Sequence, residues 1–317
     1  MPSRGAPQAV SLRAYTRDVP RHVVHPRRVG LDVTQPPGFS CRGQAHTAAG
    51  PLHRREPPHS LADLADHTVA EADRRLALRA LLACPTGSIG CLGDDDVKAV
   101  GDDFPLPVEG PVYYCGYNSP KSYGGNSYLV RHPAGNWLID APKFVTPLVR
   151  RLEAVGGVAH IFLTHRDDVA DTERYAQHFH ARRIIHRAEL PAQPGAEVVL
   201  DGDGPWELAP GFCAVPTPGH TEGHCVLLVE DRFLFTGDHL DWDRNGRRLA
   251  ASEDYCWYSW PEQAESMARL ADYRFEWVLP GHGQRIRLPA SEMRAEVRRL
   301  AEAMRRGGDD RPSLPAP

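Results

Sequence analysis

Short apolar runs rich in β-branched and aromatic residues alternate with amphipathic stretches from residue 112 onward. Such runs are typical of buried strands, whereas apolar positions spaced three and four apart are typical of helices. The predicted strands lie at 112–115, 126–130, 137–140, 161–164, 183–185, 212–215, 225–229, 233–236 and 277–279. The predicted helices lie at 145–155, 171–179, 261–273 and 291–304. Strands in two batches with helices between them predict a mixed α/β fold.

The pattern is weaker before residue 110. Residues 1–60 are rich in Arg, Pro and His without a sustained period, which predicts an irregular or disordered segment. A short helix is suggested by Leu61, Leu64 and Ala65. An amphipathic helix is predicted at 71–83, ended by Pro85, with an apolar face of Leu76, Leu78, Leu81 and Leu82. We therefore divide the chain into segments 1–60, 61–110 and 111–317.

Composition narrows the class of protein. Of the 317 residues, 41% are apolar, which is enough for a sizeable core. The net charge of -4 produces no overall electrostatic attraction to nucleic acid. The chain has no apolar run of about 18 residues for a membrane span and no apolar signal core. Its seven cysteines are scattered, which is typical of reduced thiols. These features predict a cytoplasmic protein that acts on a small molecule, with no nucleic-acid or membrane partner.

Four segments end an apolar run with His or Asp. They carry, in chain order, His165 with Asp167, Asp168 and Asp171, then His220 with His224, then Asp238 with His239, then His282. Side chains at strand ends on short Gly-containing turns can converge on one edge of a sheet. His and Asp are good transition-metal ligands, so the pattern predicts a metal site.

These segments resemble the ligand motifs of the metallo-β-lactamase superfamily. That family carries a His-x-His-x-Asp-His motif, then a His in Thr-Pro-Gly-His-Thr, an Asp in Thr-Gly-Asp and a His in Pro-Gly-His. His220, Asp238 and His282 match the last three, and His165 matches the opening His. The resemblance covers roughly residues 111 to 290 and implies an αββα sandwich, with two sheets face to face and helices outside.

The remainder of the first motif departs from the family pattern. Asp167 or Asp168 stands where the second His would be, and the residues leave that choice open. Asp171 can serve as the motif Asp only if two residues are inserted, and its alternative role is to cap the helix that follows. Thr172, a poor ligand, takes the place of the last His.

The resemblance implies two metal positions that share a bridging Asp238. His165 and His220 would bind the first ion, and Asp171 and His282 the second. The complete predicted ligand set is His165, Asp167, Asp171, His220, Asp238 and His282.

Asp171 and Asp238 are also the predicted catalytic carboxylates. His224 is expected to orient the His220 loop. His239 either lines the site or is a polar residue at a strand end, and these alternatives stay open.

The function that the resemblance implies is metal-dependent hydrolysis. A metal ion lowers the pKa of bound water from about 15.7 to about 7, which makes hydroxide available at neutral pH. The expected substrate is a small ester, thioester or lactone, and the expected cofactor is one or two zinc ions. Iron is the alternative, because it accepts carboxylate-rich coordination. Two other hypotheses are an iron-dependent oxidoreductase linked to a ferredoxin-type electron donor, and a non-catalytic relic.

The segment 84–89 resembles the last cysteine motif of bacterial-type ferredoxins. The chain is similar, from about residue 70, to metallo-β-lactamase-like proteins that carry a small ferredoxin-like domain in front. A [4Fe–4S] cluster needs four thiolates, and only Cys41 precedes Cys84. We therefore expect no cluster, interpret Cys84 as a buried residue before a turn, and interpret 61–110 as a remnant that is degenerate or, as a hypothesis, frame-shifted.

An aromatic stretch at 255–260 lies between Asp238 and His282. It predicts either the floor or lid of a pocket, or a hydrophobic cluster that caps a helix.

Overall fold

The computed structural model describes residues 10–14, 67–69, 71–86, 89–92 and 97–307. Strands β1 (Val10–Ala14), β2 (His67–Val69) and β3 (Ile89–Leu92) form a small antiparallel sheet with β1 in the centre. Helices α1 (Glu71–Ala83) and α2 (Val97–Gly101) follow in the same part of the chain. The helix predicted at 71–83 is confirmed, and Cys84 is buried directly before a bend at 85–86. The short helix predicted around 61–65, and the irregular segment apart from β1, lie outside the described residues.

The first large sheet is built from residues 106 to 200. Its strands are β4 (Leu106–Glu109), β5 (Val112–Tyr114), β6 (Tyr128–Val130), β7 (Trp137–Ile139), β8 (His160–Phe162), β9 (Arg182–His186) and β10 (Val198–Leu200). They lie side by side in chain order. The strands from β4 to β7 are antiparallel, and those from β7 to β10 are parallel.

The second large sheet takes up most of the chain after residue 205. In chain order the remaining strands are β11 (Trp206–Ala209), β12 (Phe212–Pro216), β13 (Cys225–Val229), β14 (Phe233–Gly237), β15 (Asp241–Asp243), β16 (Arg248–Ala250), β17 (Trp277–Pro280) and β18 (Ile286–Arg287). The sheet order is β11-β12-β13-β14-β17-β18, while β15 and β16 form a separate hairpin. Strand β14 runs parallel to β17, so both end at the same edge.

Alternation along β13 shows how the layers pack. Its side chains point to opposite faces in turn. Cys225, Leu227 and Val229 belong to the core between the two sheets, while Val226 and Leu228 belong to a second core. Trp137 stacks on Phe212 across the sheets, with ring centroids 4.5 Å apart.

Helices cover the outer faces of both sheets. They are α3 (Thr146–Ala154), α4 (Thr172–Phe179), α5 (Trp260–Leu270) and α6 (Ala290–Arg305). Buried residues of α5 and α6 fill the second core, and those of α3 and α4 pack with the first sheet. The mixed α/β class and the αββα arrangement are therefore confirmed. Within the described part of the chain, none of the helices combines the length and apolar character needed to cross a bilayer.

The long apolar strands and the main helices were predicted close to their observed bounds. The strands that the sequence did not predict are mostly short pieces at the sheet edges or in the β15–β16 hairpin. Such pieces bury little apolar surface and so leave little periodic signal.

Candidate metal centre

His165, His220 and Asp238 meet where the strands that precede them end. His165 follows β8, His220 lies in the loop after β12, and Asp238 follows β14. The Nε2 atoms of His165 and His220 lie 3.9 and 3.8 Å from Oδ2 of Asp238. Asp167 completes the group, with its Oδ2 3.5 Å from His220 Nε2 and 3.9 Å from His165 Nε2. We call His165, His220 and Asp167 the nitrogen-rich half of the site.

The other ring nitrogens of these histidines are used in the protein. His220 Nδ1 lies 2.5 Å from the carbonyl oxygen of Tyr255, so Nδ1 must donate the hydrogen. His165 Nδ1 lies 2.9 Å from the hydroxyl of Thr164, which in turn lies 3.0 Å from Asp140 Oδ2. These contacts leave the Nε2 lone pairs facing Asp238, the arrangement that a metal-binding imidazole needs.

Asp168 and His282 lie on the opposite side of Asp238. One ligand atom from each of Asp168, Asp238 and His282 lies within 4.8 Å of the others. His282 Nδ1 is 2.7 and 2.9 Å from the two oxygens of Asp238. We call Asp168 and His282 the carboxylate-rich half, because with the shared Asp238 it offers two carboxylates and one imidazole.

Two glycines allow the Asp168 carboxylate to sit against the backbone. A Cβ atom at Gly125 would lie 2.7 Å from Asp168 Oδ1, and one at Gly281 would lie 2.5 Å from Oδ2. Any larger residue at either position would collide with the carboxylate, so the sequence keeps this space open for it.

Burial and neighbouring charges shift the pKa values of the site residues. Burial, followed by the negative charge of Asp238, raises the pKa of Asp168 well above its usual value. Burial also acts to raise the pKa of Asp238, but the charge and hydrogen bond of His282 outweigh it and hold that pKa well below its usual value. Burial lowers the pKa of His165 to about 4, so its imidazole is neutral at pH 7, the form that binds metals.

Several ligand atoms have no hydrogen-bond partner among the described residues although they are buried. They are His165 Nε2, His220 Nε2, His282 Nε2 and both carboxylate oxygens of Asp168. Burying such groups without compensation is costly, and cations bound on the two sides of Asp238 would lower that cost. Imidazole nitrogens and carboxylate oxygens are also the donors that divalent transition metals prefer. The residues therefore fit a metal centre.

Asp171 lies apart from this cluster. Its Oδ1 accepts a 2.6 Å hydrogen bond from Lys121 Nζ, and its Oδ2 accepts a 2.8 Å hydrogen bond from the backbone N–H of Phe144. Asp171 is the residue before α4, but its side chain makes no capping hydrogen bond to that helix. The structure thus places Asp168, and not Asp171, beside Asp238 and His282.

Asp167 and Asp168, the two alternatives for one ligand position in the sequence, occupy different positions in the structure. Both belong to a 3₁₀ turn, Arg166–Asp168. Successive side chains in such a turn are about 120° apart, so neighbouring acids point in different directions. Asp167 turns toward His220, and Asp168 turns toward His282.

His224 and His239 lie behind the nitrogen-rich half. Both are fully buried, and their rings stack with centroids 5.7 Å apart. The His224 ring is 5.2 Å from that of His165, and His224 Nδ1 is 2.8 Å from the hydroxyl of Thr217. His224 therefore links the His220 loop to the end of β8, and His239 packs behind it.

Glu189 holds the two loops of the nitrogen-rich half together. Its side chain is completely buried and accepts hydrogen bonds from the backbone N–H groups of Arg166 and Gly223, at 3.0 and 2.7 Å. The Arg166 guanidinium adds two more bonds to the same carboxylate. Sequence reasoning missed Glu189, which lies in a short 3₁₀ segment without a periodic pattern. It also missed Asp140, although that residue ends a predicted strand at the same sheet edge.

A separate surface hollow is lined by His160, His178 and His180. It lies at the start of β8, whereas His165 follows the end of that strand. The hollow is therefore at the opposite edge of the sheet from the metal centre.

Comparison with known proteins agrees with this geometry. The chain matches the family described as the metallo-beta-lactamase superfamily over residues 110–302. It belongs to this superfamily, and the resemblance that its ligand segments carry is confirmed.

Three curated relatives are similar to the main part of the chain. "Thioesterase pkgB" of Emericella nidulans is 31% identical over 201 residues, which are 60% of this chain and 56% of that protein. "Lactamase-like protein adaB" of Aspergillus niger is 30% identical over 193 residues, 57% of each chain. "Hydroxyacylglutathione hydrolase" of Rhizobium etli is 29% identical over 205 residues, 60% of this chain and 78% of that protein. The chain thus spans little more than half the length of the first two relatives.

Proposed function

We propose that this protein is a metal-dependent hydrolase that cleaves a thioester. The observation that carries the proposal is the cluster of buried His and Asp ligand atoms without partners around Asp238. The names of two relatives support the substrate class, since one is a thioesterase and the other hydrolyses an acylglutathione.

The proposed centre holds two ions. The first would bind to His165, His220 and Asp167, and the second to Asp168 and His282, with Asp238 shared between them. This assignment keeps five of the six ligands that the sequence predicts and replaces Asp171 by Asp168. Zinc suits the nitrogen-rich half, and a harder ion such as iron(II) or manganese(II) suits the carboxylate-rich half.

When bound, the ions supply a nucleophile from water at neutral pH and polarise the carbonyl of the substrate. The chain's own residues hold this arrangement. The depressed pKa of Asp238 keeps it ionised at neutral pH, so one carboxylate can face both halves. Hydrogen bonds from Nδ1 fix the rings of His165 and His220 with Nε2 toward the centre.

The donor set also suits the leaving group. Ionised carboxylates and imidazole nitrogens that bind metal are acceptors, and they offer no proton. A thiol has a pKa of about 8.5, so it leaves as a thiolate with little help from an acid. A thioester is therefore better matched to this site than an ester with a poor alkoxide leaving group.

The test combines metal content with turnover. The protein would be purified without added metal, its ions counted by elemental mass spectrometry, and thioester hydrolysis followed by the thiol released. We expect about two ions per chain, and loss of hydrolysis in His220→Ala. His178→Ala is the matched control, because His178 pairs with Glu153 at the surface, away from the site.

Three outcomes would contradict the proposal. Hydrolysis by the metal-depleted protein would exclude the mechanism. Iron together with oxygen-dependent turnover would favour the oxidoreductase hypothesis. A protein that binds no metal and cleaves no thioester would favour the relic hypothesis.

A further inference from the structure

Residues 255–259 are hydrogen-bonded to the loop that carries His220. Trp257 N donates to the carbonyl of His220, and His220 Nδ1 donates back to the carbonyl of Tyr255. The carbonyl of Gly219 accepts from Cys256 Sγ, Tyr258 N and Ser259 N, at 3.0, 3.3 and 2.9 Å. The position of this segment is therefore set by the same loop that sets the metal ligand.

Gly219 allows the His220 loop to lie against the start of α5. Its φ of 149° lies in the region that favours glycine, and a Cβ atom there would overlap both backbone and side-chain atoms of Gln263 at the start of α5. The loop therefore packs closely against the helix that directly follows the segment.

Two aromatic side chains of the segment point away from the core. Trp257 is 60% exposed and Tyr258 is 48% exposed. Trp260, by contrast, packs against the core of α5 and α6. The capping cluster predicted from the sequence therefore applies to Trp260, while Trp257 and Tyr258 remain available to a ligand.

A third exposed aromatic residue lies beside the other half of the site. Tyr123 is 65% exposed and precedes Gly125 by two residues, and a Cβ atom at Gly125 would lie 2.7 Å from Oδ1 of Asp168. The Trp257 ring lies 6.2 Å from the His220 ring. These three are the exposed large hydrophobic residues in the described part of the chain, and each lies near a loop of the candidate metal centre.

We propose that Trp257, Tyr258 and Tyr123 form an aromatic rim that binds the acyl group of the substrate, and that this acyl group is aromatic or conjugated. The inference rests on the proposed thioester hydrolysis. Exposed rings beside a reaction centre gain free energy by stacking on a flat apolar group and by removing it from water. The thiol part of a biological thioester is a polar, amide-containing chain, so the flat apolar part is the acyl group.

The experiment compares two thioesters that share one thiol, an acetyl and a 2-naphthoyl thioester of N-acetylcysteamine. The measured quantity is the ratio of kcat/KM for naphthoyl to kcat/KM for acetyl. We expect Trp257→Ala to lower this ratio about tenfold, mainly through KM, and Trp257→Phe to restore most of it. Trp206→Phe is the control and should leave the ratio unchanged, because Trp206 lies on β11 beside His186.

A binding measurement separates the rim from the hydrolysis. The affinity of the zinc-loaded protein for 2-naphthoate, measured by calorimetry, should fall about tenfold in Trp257→Ala. The enzyme could turn over both substrates while neither the kcat/KM ratio nor the naphthoate affinity depends on residue 257. That result would overturn the rim and leave the hydrolase proposal intact. Alternatively, the protein could hydrolyse neither thioester and yet bind naphthoate in a way that depends on Trp257. That result would overturn the hydrolase proposal and support the rim.

Discussion

The two halves of the metal centre share Asp238 but differ in donors and in support. The nitrogen-rich half offers two imidazoles and Asp167, and both histidines are oriented through Nδ1. The carboxylate-rich half offers Asp168 and His282, and the carboxylate of Asp168 has no hydrogen-bond partner among the described residues. The imidazoles of the first half are therefore held by hydrogen bonds within the protein, whereas the Asp168 carboxylate of the second half has no such support among the described residues.

The contacts that support the loops around each half also differ in strength and burial. Buried Glu189 ties together the two loops of the nitrogen-rich half. The turn beside the carboxylate-rich half is held in part by the ion pair of Lys121 with Asp171, in which the lysine side chain is 66% exposed. A buried, multiply bonded carboxylate is costly to disrupt, whereas an exposed ion pair contributes little.

The largest effect is expected at the shared residue. Asp238→Ala removes a ligand from both halves, so we expect metal content to fall from about two ions to nearly none and hydrolysis to fall by more than about 100-fold. Elemental analysis and the thiol-release assay would measure both. Asp243→Ala, in the β15–β16 hairpin, is a matched control. Retention of both ions by Asp238→Ala would show that the halves do not share this residue.

Next in size are the variants that empty one half. His220→Ala and Asp168→Ala should each lose about one ion, the former from the nitrogen-rich half and the latter from the carboxylate-rich half. Asp171→Ala should retain both, because its carboxylate is bonded to Lys121 and Phe144. Loss of an ion in Asp171→Ala, with none in Asp168→Ala, would restore the ligand set predicted from the sequence.

A smaller effect is expected from the residue that orients His165. Thr164→Val removes the hydroxyl that bridges His165 Nδ1 and Asp140. We expect affinity for the first ion to fall about 10- to 100-fold, with the second ion little affected. Titration with a chromophoric chelator would separate the two affinities. An equal loss at both ions would mean that the halves are not supported independently.

The smallest effects concern stability. Glu189→Gln should lower the free energy of unfolding of the chelator-treated protein by about 3 kcal/mol at pH 7. Lys121→Ala should cost less than about 1 kcal/mol. Urea unfolding would measure both, and equal costs would remove the contrast between the two halves.

The pH dependence of the Glu189 effect has a definite sign. Burial acts to raise the pKa of Glu189, but hydrogen bonds from Arg166 and Gly223 outweigh it, so the pKa in the folded state is lowered. Its contribution is complete above the unfolded pKa of about 4.3 and is lost as the pH falls through the folded value. The difference between wild type and Glu189→Gln should therefore be constant near neutral pH and shrink below about pH 4. A difference that grows on acidification would contradict this account.

Sequence reasoning succeeded where burial and spacing determine the result. The apolar runs that end at His165, Asp238 and His282 are buried strands, and their common edge gathers the side chains that follow them. The family motif then specifies the order of the ligands, so the main features of the site were visible before the fold was known.

The failures have a physical cause as well. The residues after His165 form a single 3₁₀ turn, and its geometry determines that Asp167 and Asp168 face different halves. A turn this short leaves no periodic pattern in the sequence. Glu189 acts through contacts with residues distant in sequence, Arg166 and Gly223. Side-chain partners of this kind depend on tertiary structure and cannot be inferred from local composition.

The way in which the aromatic rim is attached has an evolutionary consequence. The bonds between the His220 loop and residues 257 and 258 come from main-chain N–H and C=O groups, which every residue except proline carries. Substitutions at these positions can therefore alter what the protein accepts without displacing a ligand. Selection can act on substrate preference through single changes while the chemistry is inherited intact, which is one way in which a single fold comes to serve many substrates.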